Sequence, residues 1–457
     1  MTTNWRSSGL IGAVLIGVSM ACQPAPQDSR SARNVILFIG DGLGPGQLAL
    51  GMNYAREIEG RKLNLTRLAE RGMTGYTLPL PHEDVVTDSA AAASQMATGE
   101  EVRNEAVSLD KNWQKVETIL EWAERRGMAT GIVTTTRLTH ATPAAFASHS
   151  GSRYVDGGSV ATEMMEGVEI EVLLGGGARH FVPRGRRASD ELPGIAPALD
   201  GESRRQDNRN LIDEARSRGY AIAGNVAALT QASAATKLLG LFSSGHLPYV
   251  LDSDADDMAG VPRLVEMTEA ALAVLERHEG GFFLMVEGGR IDHAGHQNDA
   301  GTMLHETLAF DEAVGAGVRF QDNHPDTLII ATADHGTGGF TFNYVRRPTP
   351  GELVMPGGEV YRQDYAYAGR EHLALLGEQT ASYQALLDEA DGDPAKLSES
   401  VKRGTSLALT RGEAVRVLER DADGHAVTRD FGDFYPDWED NSGYLLARTL
   451  SRQSLVS

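Results

Sequence analysis

The chain has 457 residues, 41% of them hydrophobic. That is enough for one large α/β domain with insertions, or for two to three domains, and it excludes global disorder. Its 42 Lys plus Arg against 63 Asp plus Glu give a formal charge of −21, a balance that repels a nucleic-acid backbone and suits a soluble, metal-binding protein.

The amino terminus reads as an export signal over residues 1–21. Arg6 supplies the positive start, and Gly9 to Val18 is an apolar run too short to span a bilayer. Ser19-Met20-Ala21 offers small residues at the cleavage positions. The next residue, Cys22, is the only cysteine, so no internal disulfide forms. Its place resembles the lipidation site of bacterial lipoproteins, with Ser19 where that motif usually has Leu. The expectation is an exported bacterial protein, periplasmic or lipid-anchored to the outer membrane at Cys22, with residues 22–33 as a short tether.

The first strand signal is Val35-Ile36-Leu37-Phe38-Ile39, a continuous apolar run typical of a strand buried on both faces of a parallel sheet. It ends in Gly40-Asp41-Gly42-Leu43-Gly44. This turn lacks the Lys-Ser/Thr ending of a P-loop and the spacing of a dinucleotide fingerprint, and a carboxylate among glycines suits a metal. Thr87-Asp88-Ser89 then opens an alanine run that stops at Gly99. Ser89 there is either a helix cap or a group facing an anion at the helix N-terminus.

Residues 117–126 read as helix and 129–135 as strand. His140 and Thr142 fall on the loop before a helix that starts at Pro143, and Arg153 lies ten residues beyond that proline. Residues 172–174, 238–242 and 282–286 read as strands and 263–278 as an amphipathic helix. The strand at 282–286 delivers Glu287, Asp292, His293 and His296 within ten residues. Oxygen and nitrogen donors without sulfur suit zinc in a hydrolytic site, with a solvated polar loop as the alternative. The strand at 328–333 ends in Asp334-His335-Gly336, a carboxylate and an imidazole again at a strand's carboxyl end. The predicted architecture is a three-layer α/β/α fold with a large, mostly parallel central sheet.

At this point the chain resembles the alkaline phosphatase family. The resemblance rests on Phe-Ile-Gly-Asp-Gly-Leu-Gly, Thr-Asp-Ser-Ala-Ala-Ala-Ala, Ala-Thr-Pro-Ala-Ala-Phe, Val-Glu-Gly-Gly-Arg-Ile-Asp-His-Ala-Gly-His and Thr-Ala-Asp-His-Gly, in the family's order over residues 34 to about 340. It implies an exported enzyme that hydrolyses phosphate monoesters through a phosphoserine on Ser89, using two Zn2+ and one Mg2+. Asp41, Asp334, His335 and Ser89 itself would hold one zinc. Asp292 and His296 would hold the other, and Asp41, Thr142 and Glu287 the magnesium. Arg153 resembles the family's phosphate clamp, with Asp88 steadying it. The chemistry is consistent, because a doubly anionic monoester needs cations and an arginine fork to gather its charge.

His140 and His293 stand where the enteric enzymes have Asp and Lys, the arrangement of animal and several marine bacterial members. The expectation is that His293 approaches phosphate through water and His140 tunes the magnesium shell; the alternative for either is a polar loop residue. No motif in the sequence resembles the family's carboxyl-terminal histidine, third ligand of the Asp292/His296 zinc, and Asp421-Ala422-Asp423-Gly424-His425 reads as a turn. The expectation is therefore a sequence that stops before the family's last strand and ligand.

The expected organisation is a core over 34–339, a cap or crown insertion over 340–440, and a return helix to the core over 441–457. Within the insertion, 344–356 reads as loop, 382–397 as helix-rich and 407–420 as mixed. The expected assembly is a homodimer, without nucleic-acid partners. Two other readings are a phosphodiesterase-type hydrolase on the same scaffold and an inactive metal- or phosphate-binding lipoprotein.

Overall fold

Residues Asn34–Gly40 form strand β1, which pairs in parallel with a strand on each side. Side chains alternate across a strand. Ile36 and Phe38 therefore enter one apolar layer, and Leu37 and Ile39 the other. The computed structural model describes residues 32–155, 157–253, 258–420 and 442–454; the readings on residues 1–31, Cys22 included, and on His425 lie outside them.

The sheet continues with β2 (Ala129–Arg137), β3 (Val172–Gly176), β4 (Ala221–Ala223), β5 (Leu238–Leu241), β6 (Phe282–Gly288) and β7 (Thr327–Ala333). Their order is β4-β5-β3-β2-β6-β1-β7, and every pairing is parallel. The three-layer α/β architecture expected from the sequence is present. One layer packs the helices Leu264–Leu275 and Ala300–Asn323 against the sheet around Phe38, Leu284 and Phe310. The other packs Ser89–Thr98, Ile119–Arg125, Ala141–Ala147 and Leu211–Ser217 around Phe146, Leu173 and Met285. Because all seven strands run the same way, their carboxyl ends share one edge, and the ligand-type residues gather there.

Two local readings change. Residues 344–356, expected as loop, contain β8 (Tyr344–Val354), which pairs antiparallel with β9 (Val360–Tyr367). The prolines and glycine of Pro348-Thr349-Pro350-Gly351 hid the strand, and they coincide with a register shift between Arg346 and Gly351. Thr142, expected on a loop, lies in the first turn of the helix Ala141–Ala147, with Pro143 one residue deeper. Leu446, Ala447 and Leu450 of the helix Ser442–Ser454 join Tyr383, Leu386, Leu397 and Val401 in a separate apolar cluster. At the sheet edge, β7 leaves Leu328 45% and Ile330 43% exposed.

Phe38 is fully buried and meets Phe310 edge to face at 6.2 Å. Phe38→Ala should cost about 3–5 kcal/mol, read as a lower urea midpoint with an unchanged m-value.

Candidate active site

The turn after β1 is built by close backbone approach. Gly42 has φ +69°, and a Cβ there would lie 2.8 Å from the Cα of Asp292. A Cβ on Gly44 would likewise meet the Cα of Gly336 at 2.8 Å. Only glycine fits both demands at Gly42. The close packing brings three strand ends together: Gly42 N–H donates to Asp334 Oδ1 at 3.0 Å, and Asp41 sits beneath, wholly buried.

Asp41, Asp334 and His335 offer ligand atoms within 4.8 Å of one another, and so do Asp41, His140 and Glu287. His335 Nε2 lies 3.1 Å from Ser89 Oγ, 3.4 Å from Asp334 Oδ2 and 3.7 Å from Asp41 Oδ1. Thr337 sets its tautomer. That hydroxyl gives its one proton to Asp292 Oδ1 at 2.6 Å, so it accepts from His335 Nδ1–H at 3.1 Å. Nε2 is then the lone-pair nitrogen and faces Ser89 and the two carboxylates.

Glu287, on β6, accepts from the hydroxyls of Thr134 and Thr136, both on β2. Asp292 and His296 lie one turn apart on the helix Arg290–His296, with His296 Nε2 3.3 Å from Asp292 Oδ2. The two pairs are also linked, since Thr337 touches both Asp292 and His335.

The carboxylates repel one another in a dry site. Burial first, then Asp292, Asp334 and Glu287, push Asp41 well above the usual range. Burial raises Glu287 to about 7 and also lifts Asp334. In Asp292 burial works against the charge, yet His296, His293 and His335 hold the carboxyl below its ordinary value. Both oxygens of Asp41, Asp334 Oδ2, Glu287 Oε1 and Thr142 Oγ1 are buried without a hydrogen-bond partner among the described residues. Buried acceptors of this kind are rarely left bare. Oxygen donors this close, with imidazoles beside them, fit divalent cations.

Ser89 is not the helix cap. Asp88 is: its Oδ1 accepts from Ala91 N–H at 2.9 Å, which leaves Ser89 as the first residue of the helix Ser89–Thr98. The alanines behind it are fully buried and admit close packing against the helix Ala141–Ala147. Asp88 Oδ2 accepts from Arg153 NH1 at 3.0 Å, and Arg153 NH2 donates to His140 Nε2 at 3.1 Å. Every expected site residue thus lies at one edge of the sheet.

Sequence reading missed Thr134, Thr136, Thr337 and His246. His246 lies 4.5 Å from His293 and 5.3 Å from His140 between ring centroids. Arg290 NH1 donates to His293 Nδ1 at 2.7 Å. Burial, then Arg290, holds His293 down to about 3, so this imidazole is neutral. Nothing in the spacing of Gly245-His246-Leu247 marks it; only the fold brings β5's loop beside β2.

The segment bearing Arg153 is anchored by Glu163, which accepts from His149 N–H at 3.1 Å and pairs with the His149 ring and Lys115. Burial opposes its charge, but His149 and Lys115 bring Glu163 from 4.5 down to about 2. A depressed carboxyl contributes stability above its unfolded value and loses it as pH falls through the folded one. Glu163→Gln should therefore melt below the parent at pH 6 and converge with it as pH falls from about 4.5 to 2, as read by circular dichroism.

Residues 32–357 match the alkaline phosphatase family. The chain is 35% identical over 349 residues to the repressible alkaline phosphatase of Saccharomyces cerevisiae, covering 72% of this chain and 60% of that protein. It is 37% identical over 324 residues to alkaline phosphatase 4 of Bacillus subtilis, covering 69% and 64%. It thus spans less than two thirds of either relative. The crystal structure of Thermus thermophilus alkaline phosphatase superposes with a TM-score of 0.72 at 33% identity, over 85% of this chain and 74% of that one. By its motifs, its sheet and these likenesses, the chain belongs to the alkaline phosphatase family.

Proposed function

We propose that the chain is a metal-dependent phosphomonoesterase with Ser89 as nucleophile. The observation that carries this reading is Ser89 Oγ at the start of its helix, 3.1 Å from the lone-pair nitrogen of His335 and beside bare, buried carboxylates. Asp41, Asp334, His335 and Ser89 would hold one zinc, Asp292 and His296 a second, and Asp41, Thr142 and Glu287 a magnesium, with His140 beside it. Bound cations supply charge neutralisation for the phosphoryl group and lower the pKa of hydroxyl and water.

The chain's own residues do the rest. Arg153, held by Asp88 and His140, keeps further N–H donors for phosphate oxygens. Helical N–H groups behind Ser89 favour the anion. Ser89 Oγ attacks phosphorus as the ester oxygen leaves, and water then releases phosphate from the serine. His293, neutral and held by Arg290, reaches phosphate through water. The reading includes export, supported by the apolar run Gly9–Val18 and by Cys22. Among the described residues no helix is long and apolar enough to cross a membrane.

Hydrolysis of an aryl phosphate at alkaline pH, with zinc and magnesium added, is the test. Ser89→Ala should lower kcat by at least about 10³-fold. Arg153→Ala should lower kcat/KM about 10- to 100-fold, and chelation should abolish turnover until both metals return. Parental activity in Ser89→Ala would overturn the assignment.

A further inference from the structure

Charge is segregated along the carboxyl edge of the sheet. The ends of β7, β1 and β6 carry Asp334, Asp41 and Glu287, with Asp292 on the helix that follows β6. Beyond them the order runs β2, β3, β5, and here the residues turn basic. β2 ends at Arg137, Arg179 lies just past β3, and His246 follows β5. Arg204 joins them, its N–H donating to the carbonyl of Arg179 at 2.8 Å.

Among the described residues these three arginines have no carboxylate partner. Their neighbours in the same region are paired: Arg187 with Asp200, Arg205 with Asp207, Arg209 with Glu214 and Arg216 with Asp213. Among the described residues none of Arg137, Arg179 and Arg204 forms an ion pair with an acid. In a chain with 63 acidic residues against 42 basic ones, three neighbouring unpaired guanidiniums are a departure that costs free energy. Arg137 NH1 lies 3.1 Å from His246 Nε2 and its backbone N–H donates to His246 Nδ1 at 3.3 Å, while Arg179 Nε donates to His180 Nε2 at 3.3 Å. Imidazoles, which carry no negative charge, stand beside the two arginines without cancelling theirs.

The local field is correspondingly positive. Burial, then Arg179, Arg153 and Arg204, bring Arg137 down to about 10. Burial, then Arg179, Arg137 and Arg204, hold His180 down to about 3. The cluster is also open to solvent in steps, since Arg204 is exposed while Arg179 and Arg137 are half-buried. It adjoins the phosphate clamp: Arg153 touches His140, His140 meets His246, and His246 meets Arg137.

We propose that Arg137, Arg179 and Arg204, with His246, form a second anion subsite beside the Arg153 clamp, taking a carboxylate or second phosphate at the far end of a monoester substrate. The subsite rests on the phosphatase reading for its substrate and extends it, favouring small esters with two anionic ends. Guanidiniums recognise such planar or tetrahedral oxyanions through paired N–H donors.

The test compares 3-phosphoglycerate with glycerol 3-phosphate, which differ by one carboxylate. The metal-loaded wild type should show a KM at least about tenfold lower for 3-phosphoglycerate. Arg179→Gln and Arg204→Gln should remove most of that ratio while kcat on an aryl phosphate stays within about twofold. Arg204 is exposed, so its variant keeps the test free of folding defects. Calorimetry on the metal-loaded Ser89→Ala protein reads the same preference without turnover.

Binding that favours 3-phosphoglycerate, with no hydrolysis of either ester by the wild type, would keep the subsite and sink the phosphatase reading. Turnover with equal KM and equal affinity for the two esters would overturn the subsite. Two equivalents of inorganic phosphate bound per chain, without discrimination between the esters, would mark a free-anion site and also overturn the substrate assignment.

Discussion

Asp41, Asp334 and Glu287 are buried at the ends of neighbouring strands, with Asp292 buried on the helix after β6, and like charges in a dry environment repel strongly. Nothing in the hydrophobic effect would gather them. They stand together because the strands that deliver them are fixed from below by two apolar layers, and the backbone turns that cross between them admit only glycine. The protein spends packing energy on a site that is unfavourable when bare. The hydrogen bonds around it then do a particular job. Thr134 and Thr136 satisfy one oxygen of Glu287 and leave Oε1 bare, while Thr337 fixes Asp292 and His335 so that they face His296 and Ser89.

The same constraint explains the helix of Ser89. Its hydroxyl approaches the carboxylates without added bulk, because the buried positions of the helix are alanine or serine. With Asp88 taking the capping role and holding Arg153, one loop fixes both a hydroxyl and a guanidinium. Glu163 steadies the far end of the arginine's segment through His149. Position is thus transmitted by short-range hydrogen bonds from two helices into one cluster.

Much of this was legible in the residues themselves. Runs such as Val35–Ile39 and Phe282–Val286 announce doubly buried strands, and the polar residues at their ends can only face the sheet's carboxyl edge. The motifs placed Asp41, Ser89, Arg153 and the Glu287–His296 group by family likeness. What escaped was tertiary. Thr134 reads as an ordinary strand residue and Thr136 falls just past the predicted strand, and their role follows only from β2 lying beside β6. His246 and the arginines at 137, 179 and 204 are distant in sequence, and only the strand order makes them neighbours. β8 was hidden by its own prolines and glycine. Its solvated faces carry no buried periodicity to reveal it, with Tyr344, Leu353 and Val354 all exposed.

β7 has a place of its own in this balance. Among the described residues it pairs on one side only, with β1, and shows Leu328 and Ile330 to solvent. By cooperative local opening an edge strand is cheaper to release than one paired on both sides. Yet it carries Asp334 and His335 at its end, residues that touch Gly42, Ser89 and Thr337. Whatever these two side chains grip therefore holds the strand's carboxyl end in place. Ligation and the fraying of one sheet edge become a single equilibrium, in which a filled site protects the amides of β7 from exchange.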